Sequence, residues 1–163
     1  MKIALCPGTY DPVTNGHLDI ITREAAKFDS LVVAVVKDPP RKTALFSTEE
    51  RVHFVTETTK HLDNVRVTLL EGLVVDIARR EGAQFLIKGL RAVMDFEYEF
   101  QMAQLNKMLD PDLETIYFMA SPRCGFISSS GVKEIAAFGG SVLGLVPDMV
   151  AARFGEIYGS QEA

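Results

Sequence analysis

The chain has 163 residues, 47% of them hydrophobic and 24% charged, which is typical of a globular protein with one full core. Its formal net charge of −5 argues against a broad nucleic-acid surface, so any anion site must be built locally from a few basic side chains and backbone amides. The two cysteines lack zinc or disulfide spacing, and we find no signal peptide and no apolar run long enough to cross a membrane. A reducing cytoplasm is the simplest compartment.

The first elements alternate between strand and helix patterns. The apolar run 3–6 predicts a buried strand. Turns at Pro7-Gly8 and Asn15-Gly16 then lead into an amphipathic helix with Leu18, Ile21, Ala25 and Phe28 on one face. The continuous β-branched run Leu31 to Val36 predicts a strand covered on both faces.

The middle of the chain repeats this alternation. Ser47 to Glu50 is a capping box that opens a second helix. Apolar and polar residues alternate over 65–69, which predicts a half-buried edge strand. Leu73 to Arg80 predicts a short helix stopped near Gly82, and Phe85 to Ile87 predicts another buried strand.

The last third continues in the same way. Asp95 is expected to cap a longer helix whose apolar face includes Phe96, Phe100, Ala103 and the stem of Lys107. Thr115 to Ala120 predicts a fifth strand. Ser128 opens a helix that ends at Gly139-Gly140, and Pro147-Asp148 starts the last helix.

This alternation predicts an α/β fold: a single Rossmann-like domain over residues 1–163, with a five-stranded parallel sheet of order 3-2-1-4-5 and helices on both faces. Strands one and four are then neighbours at the switch point, where ligands bind at the carboxyl ends of the strands. We therefore expect three segments to converge there: the loop from Pro7 to His17, the loop 88–91 and the segment after strand five.

Each of these segments carries groups suited to phosphates. His17 lies in the first turn of a helix, where unpaired N–H groups and the helix dipole favour anions. Lys88 and Arg91 place two cations around a glycine, and serines 128–130 offer hydroxyls at another helix start. Taken singly, solvated charge explains Lys88 and Arg91 equally well, and a solvated histidine or an ordinary N-cap is the better explanation of His17 or of any one serine. Their common position favours a site.

Other residues carry less information. Arg41 or Lys42, in the stiff loop after strand two, could reach over the crevice. His53 and His61 are expected on solvated helix surfaces. The sequence contains no zinc spacing, no Walker A segment and no Gly-x-Gly-x-x-Gly, which disfavours a dinucleotide dehydrogenase.

The segment Pro7 to His17, PGTYDPVTNGH, resembles the bacterial phosphopantetheine adenylyltransferases of the nucleotidyltransferase superfamily, which share a (H/T)-x-G-H motif. Residues 127–130 match the superfamily's I-S-S-[ST] motif, and residues 95–103 match the family's D-F-E-Y-E-x-Q-M-A run. Lys42 precedes Leu45-Phe46 as the family's lysine precedes its own Met/Leu-Phe pair, so the resemblance favours Lys42 over its neighbour.

The resemblance implies transfer of AMP from ATP to 4′-phosphopantetheine, giving dephospho-coenzyme A and pyrophosphate, the penultimate step of coenzyme A biosynthesis. The attacking phosphate is already an anion, so direct in-line attack needs positioning and electrostatic stabilisation rather than a general base. The resemblance also implies Mg2+ carried by the substrate phosphates, a homohexamer and feedback binding of coenzyme A. No metal site built by the protein is expected.

The resemblance also assigns residues. Catalytic roles fall to His17, Lys42 and Arg91, and phosphopantetheine binding to Thr9, Lys42, Val74 and Lys88. ATP binding falls to Thr9, Tyr10, His17, Gly89, Leu90, Arg91, Glu99, Cys124, Gly125, Phe126, Ile127, Ser128, Ser129 and Ser130.

Three positions depart from the family pattern. Tyr10 stands where phenylalanine is commoner, Cys124-Gly125 replaces an aromatic-serine pair, and Gly131 replaces a larger aliphatic residue and is expected to loosen a helix start. Two alternatives stay open. One is a sibling nucleotidyltransferase acting on nicotinamide mononucleotide or glycerol phosphate, and the other is a non-catalytic nucleotide-binding module.

Overall fold

The structure, a computed structural model, describes residues 1–39, 43–91 and 93–159, apart from the side chains of Val93 to Asp95. Five strands and six helices alternate over these residues. In chain order they are β1 (Ile3–Gly8), α1 (Asn15–Ala25), β2 (Ser30–Val36), α2 (Thr48–Thr59), β3 (Val65–Leu70), α3 (Val74–Glu81), β4 (Phe85–Leu90), α4 (Val93–Leu109), β5 (Glu114–Met119), α5 (Ser129–Ala137) and α6 (Asp148–Tyr158).

The strands form one parallel sheet of order β3-β2-β1-β4-β5, which confirms the predicted topology. The two central strands separate towards their carboxyl ends. The ladder between β1 and β4 ends at the pair Leu5 and Leu86, although β1 runs on to Gly8 and β4 to Leu90. Since this is the point where the strand order reverses, the separation lies where the topology places a ligand.

Apolar residues cover both faces of the sheet. Successive residues of β2 are fully buried and alternate between two core clusters, with Val33 in one and Val32 in the other. The larger cluster includes side chains of α1, α2, α5 and α6, and the smaller includes side chains of α3. The prediction of a central strand covered on both faces is confirmed, as is the half-buried edge strand β3.

The predicted helix boundaries at Ser47 and Gly82 are confirmed. Ser47 accepts a hydrogen bond from Glu50 N–H, and the Glu50 carboxylate accepts one from Ser47 N–H, which completes the capping box. Gly82 ends α3 in the left-handed region with φ of 68°, where a side chain would be strained.

Several predicted boundaries are wrong. Asn15 and Gly16 are the first residues of α1 rather than a turn before it, and α1 ends at Ala25, before Phe28. Pro7-Gly8 belongs to β1 rather than to a turn, because pairing with β2 continues to Gly8. Residues 88–90 belong to β4 rather than to a loop, because pairing with β5 continues to Leu90. The long helix α4 begins at Val93, so Asp95 lies inside it and is not its cap.

In the described part of the chain, no helix is both long enough and apolar enough to span a membrane.

Candidate functional site

The start of α1 orients His17. Thr14 is the N-cap residue, and its hydroxyl accepts a hydrogen bond from His17 N–H at 3.3 Å. In return, Thr14 N–H donates to Nδ1 of His17 at 3.0 Å. This is a capping box in which histidine replaces the usual Glu or Gln three residues after the cap.

The capping box fixes the tautomer of His17. A ring nitrogen that accepts a backbone N–H carries no proton of its own, so the proton of neutral His17 lies on Nε2. The Thr14 hydroxyl is 3.1 Å from the same Nδ1 and can donate to it as well. Desolvation, followed by the nearby Arg91 cation, lowers the pKa of His17 from 6.5 to about 4. At neutral pH the ring is therefore a neutral donor through Nε2.

Tyr10 packs against His17 with its side chain and helps to hold the imidazole ring in place. Its backbone is in the left-handed region with φ of 51°, and its buried hydroxyl donates to the carbonyl of Cys6 at 3.0 Å. The Tyr10 ring packs edge-on against His17, with 5.1 Å between the ring centroids. Gly8 leaves room for it, since a Cβ there would lie 2.9 Å from the ring. The Tyr10 side chain thus belongs to the core.

The segment after β5 meets the loop after β1, as expected. Ser129 Oγ donates to the carbonyl of Pro12 at 2.8 Å. Cys124 Sγ lies 3.8 Å from the carbonyl oxygen of Asn15. A Cβ on Gly16 would stand 3.5 Å from the Cys124 carbonyl oxygen, so the two segments run close together at the start of α1.

The end of β4 completes the convergence. Arg91 follows directly after the strand and donates to the carbonyl of Ile127 at 3.4 Å. The predicted meeting of the three segments at the switch point is therefore confirmed. Within β4, Leu90 is buried and Gly89 faces α1, where a Cβ would lie 3.2 Å from Cγ1 of Ile20.

Lys88 of β4 and Glu99 of α4 form an ion pair next to this convergence. Nζ of Lys88 is 3.1 Å from Oε2 of Glu99, and both side chains are about a quarter exposed. The backbone carbonyl of Glu99 accepts a hydrogen bond from the hydroxyl of Tyr117. The cation predicted to bind the acceptor thus contacts the carboxylate predicted to bind ATP.

The predicted serine run has three different environments. Ser128 is the N-cap of α5, and its hydroxyl accepts from Gly131 N–H at 3.0 Å. A Cβ on residue 131 would stand only 3.0 Å from that hydroxyl, so glycine suits this close cap, and α5 forms in full. Ser129 is bound to the loop after β1, and Ser130 is exposed. Phe126 is exposed and Ile127 is buried.

The other residues named from the sequence lie outside these contacts. Val74 is the first residue of α3 and packs against the smaller core cluster. Thr9 is partly buried in the loop after β1. Lys42 lies among residues 40–42, outside the described part of the chain. His53 and His61 are exposed on or next to α2, as expected.

Sequence reasoning missed Arg51, a buried cation that joins three segments. Its guanidinium donates to the carbonyls of Thr9, Val36, Lys37 and Phe46 and to the hydroxyl of Thr48, at 2.6–3.2 Å. Desolvation is the main cause that lowers its pKa. The available signal was its spacing of four residues from Val55, which places it on the buried side of α2.

A second missed residue is Asp11, which accepts hydrogen bonds from Leu45 N–H, Phe46 N–H and Lys133 Nζ. Among the described residues, no group of three or more His, Cys, Asp or Glu side chains could hold a metal ion. At the carboxyl ends of the strands, the site thus offers a neutral imidazole donor (His17), an arginine (Arg91), a paired lysine (Lys88) and the N-terminus of α5. This chemistry suits a bound polyanion.

Comparison with known proteins gives a consistent result. Residues 5–135 match the cytidylyltransferase-like family. The phosphopantetheine adenylyltransferase of Caldanaerobacter subterraneus subsp. tengcongensis is 53% identical over 156 residues, covering 96% of this chain and 97% of the relative. Those of Rubrobacter xylanophilus and Roseiflexus sp. are each 51% identical, covering 97% and 98% of this chain and 96% and 99% of the relatives.

Among solved structures, a Vibrio parahaemolyticus protein assigned by name as a nicotinate-nucleotide adenylyltransferase matches 100% of this chain and 98% of its own. The TM-score is 0.71 at 16% identity, which supports the fold alone.

Proposed function

The chain belongs to the phosphopantetheine adenylyltransferase family, and we propose that it transfers AMP from ATP to 4′-phosphopantetheine, forming dephospho-coenzyme A and releasing pyrophosphate. The observation that carries this proposal is the identity of 51–53% over 96–98% of the chain with relatives of that name. The geometry of the site suits this coenzyme A biosynthetic reaction, because its groups bind and orient phosphates.

The reaction is an in-line displacement at the α-phosphorus of ATP. A phosphate oxygen of phosphopantetheine forms a bond to that phosphorus as the bond to the bridging oxygen breaks, and pyrophosphate leaves with the electron pair. No proton has to be removed from the attacking group. The protein's contribution is to align the two phosphates and to stabilise the charge that shifts towards the leaving group.

His17 acts as a donor to the α-phosphate. Since Nδ1 accepts from Thr14 N–H, the proton on Nε2 is available for a phosphate oxygen. Because the pKa of His17 is about 4, the ring contributes an oriented hydrogen bond at neutral pH rather than a positive charge. Positive charge comes from Arg91, which lies close enough to affect the titration of the ring.

The substrate contacts follow the family resemblance. For the acceptor they are Thr9, Lys42, Val74 and Lys88, with Lys42 orienting the incoming phosphate. For ATP they are Thr9, Tyr10, His17, Gly89 to Arg91, Glu99 and Cys124 to Ser130. The hydrogen bonds that join Ser129 to Pro12 and Arg91 to Ile127 support this assignment, because they bring the separate ATP segments to one edge of the sheet.

ATP enters as its magnesium complex, in which the phosphate oxygens provide the ligands. This binding mode requires only that the protein contact the phosphates.

We infer that the active enzyme is a homo-oligomer, and the family resemblance implies a homohexamer with feedback binding of coenzyme A. The surface of α4 supports self-association, because it exposes the large apolar side chains Phe96, Tyr98, Phe100, Leu105, Met108 and Leu109. Sedimentation should give six times the 18.0 kDa mass of the chain, and a monomer would contradict the assignment. A cytoplasmic location accords with the free thiols Cys6 and Cys124.

The decisive experiment measures magnesium-dependent pyrophosphate release from ATP. The acceptors are 4′-phosphopantetheine, nicotinamide mononucleotide and glycerol phosphate in parallel, with a reaction lacking any acceptor. Release only with phosphopantetheine supports the proposal. Release with another acceptor keeps the reaction and replaces the substrate, and ATP binding without release in any reaction would point to a binding module.

Variants separate the proposed roles. His17→Ala should lower turnover by at least ~10²-fold, as for the loss of a transition-state donor. His53→Ala is the matched control, because it removes an exposed histidine from a helix surface away from the sheet edge. Lys42→Ala should lower turnover strongly with ATP binding mostly retained. An equal loss of ATP affinity would contradict that division of labour.

A further inference from the structure

Asp11 is a buried carboxylate in the loop that carries His17. Its side chain is 5% exposed. Leu45 N–H donates to both carboxylate oxygens at 3.0–3.1 Å, and Phe46 N–H donates to Oδ1 at 2.9 Å. The loop after β1 is thereby attached to the segment that leads into α2.

The same carboxylate reaches α5. Lys133 Nζ lies 2.6 Å from Oδ2 of Asp11. One turn earlier in the same helix, Ser129 donates to the carbonyl of Pro12. Two adjacent residues of the loop are therefore bound to two successive turns of α5. These contacts hold the loop that leads to His17 against the start of α5.

The ion pair with Asp11 indicates the role of Lys133. A lysine one turn past a helix N-terminus that faces phosphates could itself be a phosphate ligand. Here its ammonium is already paired with a buried carboxylate at a short distance, and its side chain is only a quarter exposed. Removing it from Asp11 would leave a buried carboxylate without its cation, which is costly.

We propose that Asp11 and Lys133 are positioning residues for the adenylyl transfer, which hold the start of α5 and the loop of His17 at the spacing that the reaction needs. Neither residue contacts the phosphates. This inference rests on the proposed function, because it assigns the α-phosphate to His17 and the rest of the triphosphate to the start of α5. Misplacing either element lowers kcat more than it weakens ATP binding.

The test uses the full chain with Asp11→Asn, Lys133→Met and Lys133→Arg, assayed for kcat, both KM values, ATP Kd and thermal unfolding. We expect Asp11→Asn to lower kcat about 10²-fold and Lys133→Met about 10-fold, with the Kd for ATP changed by less than about threefold. Lys133→Met is milder because Asp11 keeps its bonds to Leu45 and Phe46 N–H. Lys133→Arg should recover most of the rate, since it restores the cation.

Lys27→Met is the matched control. Lys27 also pairs with a fully buried carboxylate, that of Glu24, at 3.0 Å, on the opposite end of α1 from His17. Its loss should lower the thermal midpoint and leave kcat unchanged. An equal loss of kcat in this control would overturn the assignment, because the effect would then be one of general stability.

A double-mutant cycle with His17→Ala gives a readout that a purely structural role would not move. If the pair acts by placing His17 against α5, Lys133→Met should cost less than about threefold in the His17→Ala background. The same cost in both backgrounds, or a Kd for ATP that rises in step with the loss of rate, would overturn the inference.

If Asp11→Asn does not fold, the two Lys133 variants carry the test. An inactive wild type overturns the proposed function as well, whereas an active wild type with unimpaired Lys133→Met overturns only the positioning role.

Discussion

The protonation of His17 should be visible in the stability of the whole protein. In the unfolded chain a histidine titrates near its ordinary pKa of 6.5, but in the folded protein the pKa of His17 is about 4. Between these values the unfolded state binds a proton that the folded state does not. Stability is therefore lost as the pH falls from above 6.5 towards 4.

His17→Gln isolates this effect. Glutamine three residues after a threonine N-cap is a standard capping-box partner, so the side chain can still accept from Thr14 N–H, but it cannot titrate. From pH 6.5 down to 5 is about 1.5 pH units, and one unit corresponds to 1.36 kcal/mol, so the wild type should lose about 2 kcal/mol relative to the variant.

The assay is urea unfolding of both proteins at pH 7.5 and pH 5. The relevant quantity is the change in unfolding free energy between the two pH values, wild type minus variant. Any constant cost of the substitution cancels, as do the contributions of the exposed His53 and His61, which both proteins share. Equal changes in the two proteins would refute the reasoning, since His17 would then take up its proton without losing a folded-state contact. A histidine resonance that titrates near pH 6.5 and is absent from the variant would refute it directly.

Three further changes test the surroundings of the site. Thr14→Val should lower the unfolding free energy in urea by about 1 kcal/mol, because the N-cap is lost. It should also lower kcat more than it raises KM, because the imidazole loses its hydroxyl partner, and an unchanged kcat would contradict this. Arg51→Met should cost at least about 3 kcal/mol, since several buried carbonyls lose their donor, and a thermal midpoint near that of the wild type would contradict this. Gly8→Ala should displace the Tyr10 ring, seen as reduced turnover and altered near-ultraviolet circular dichroism, and an unaltered spectrum would show that the space is not needed.

The sheet was predictable because its signals are local. The run from Leu31 to Val36 has no polar residue, and only a strand with a helix layer on each side buries such a run. Strict alternation of strands and helices then leaves few topologies. The ends of strands were less predictable. Lys88 and Gly89 look like loop residues by composition, but they remain in β4 because β5 continues to pair with them.

The convergence of the three segments that form the candidate site was predictable, but the hydrogen bonds within it were not. His17 could be singled out from its place at the start of a helix, whereas the acceptor role of Nδ1 depends on a capping box with histidine in an unusual position. Arg51 binds carbonyls up to 42 residues away, and Asp11 binds a lysine 122 residues away. No local pattern specifies such partners, because they are brought together only when the sheet forms.

The pairing of cations at the site bears on how an acidic protein can bind two polyanions. Lys88 is paired with Glu99 and Lys133 with Asp11, so each of these lysines brings a carboxylate with it. With a net charge of −5, the protein as a whole does not attract polyanions at long range. Carboxylates at the edge of the site repel a bare polyphosphate more than one whose charge is partly neutralised by a bound cation. Under the proposed assignment, recognition depends on oriented short-range donors, namely the Nε2 proton of His17, the guanidinium of Arg91 and the amides at the start of α5. We therefore expect the protein to prefer ATP that carries its own magnesium.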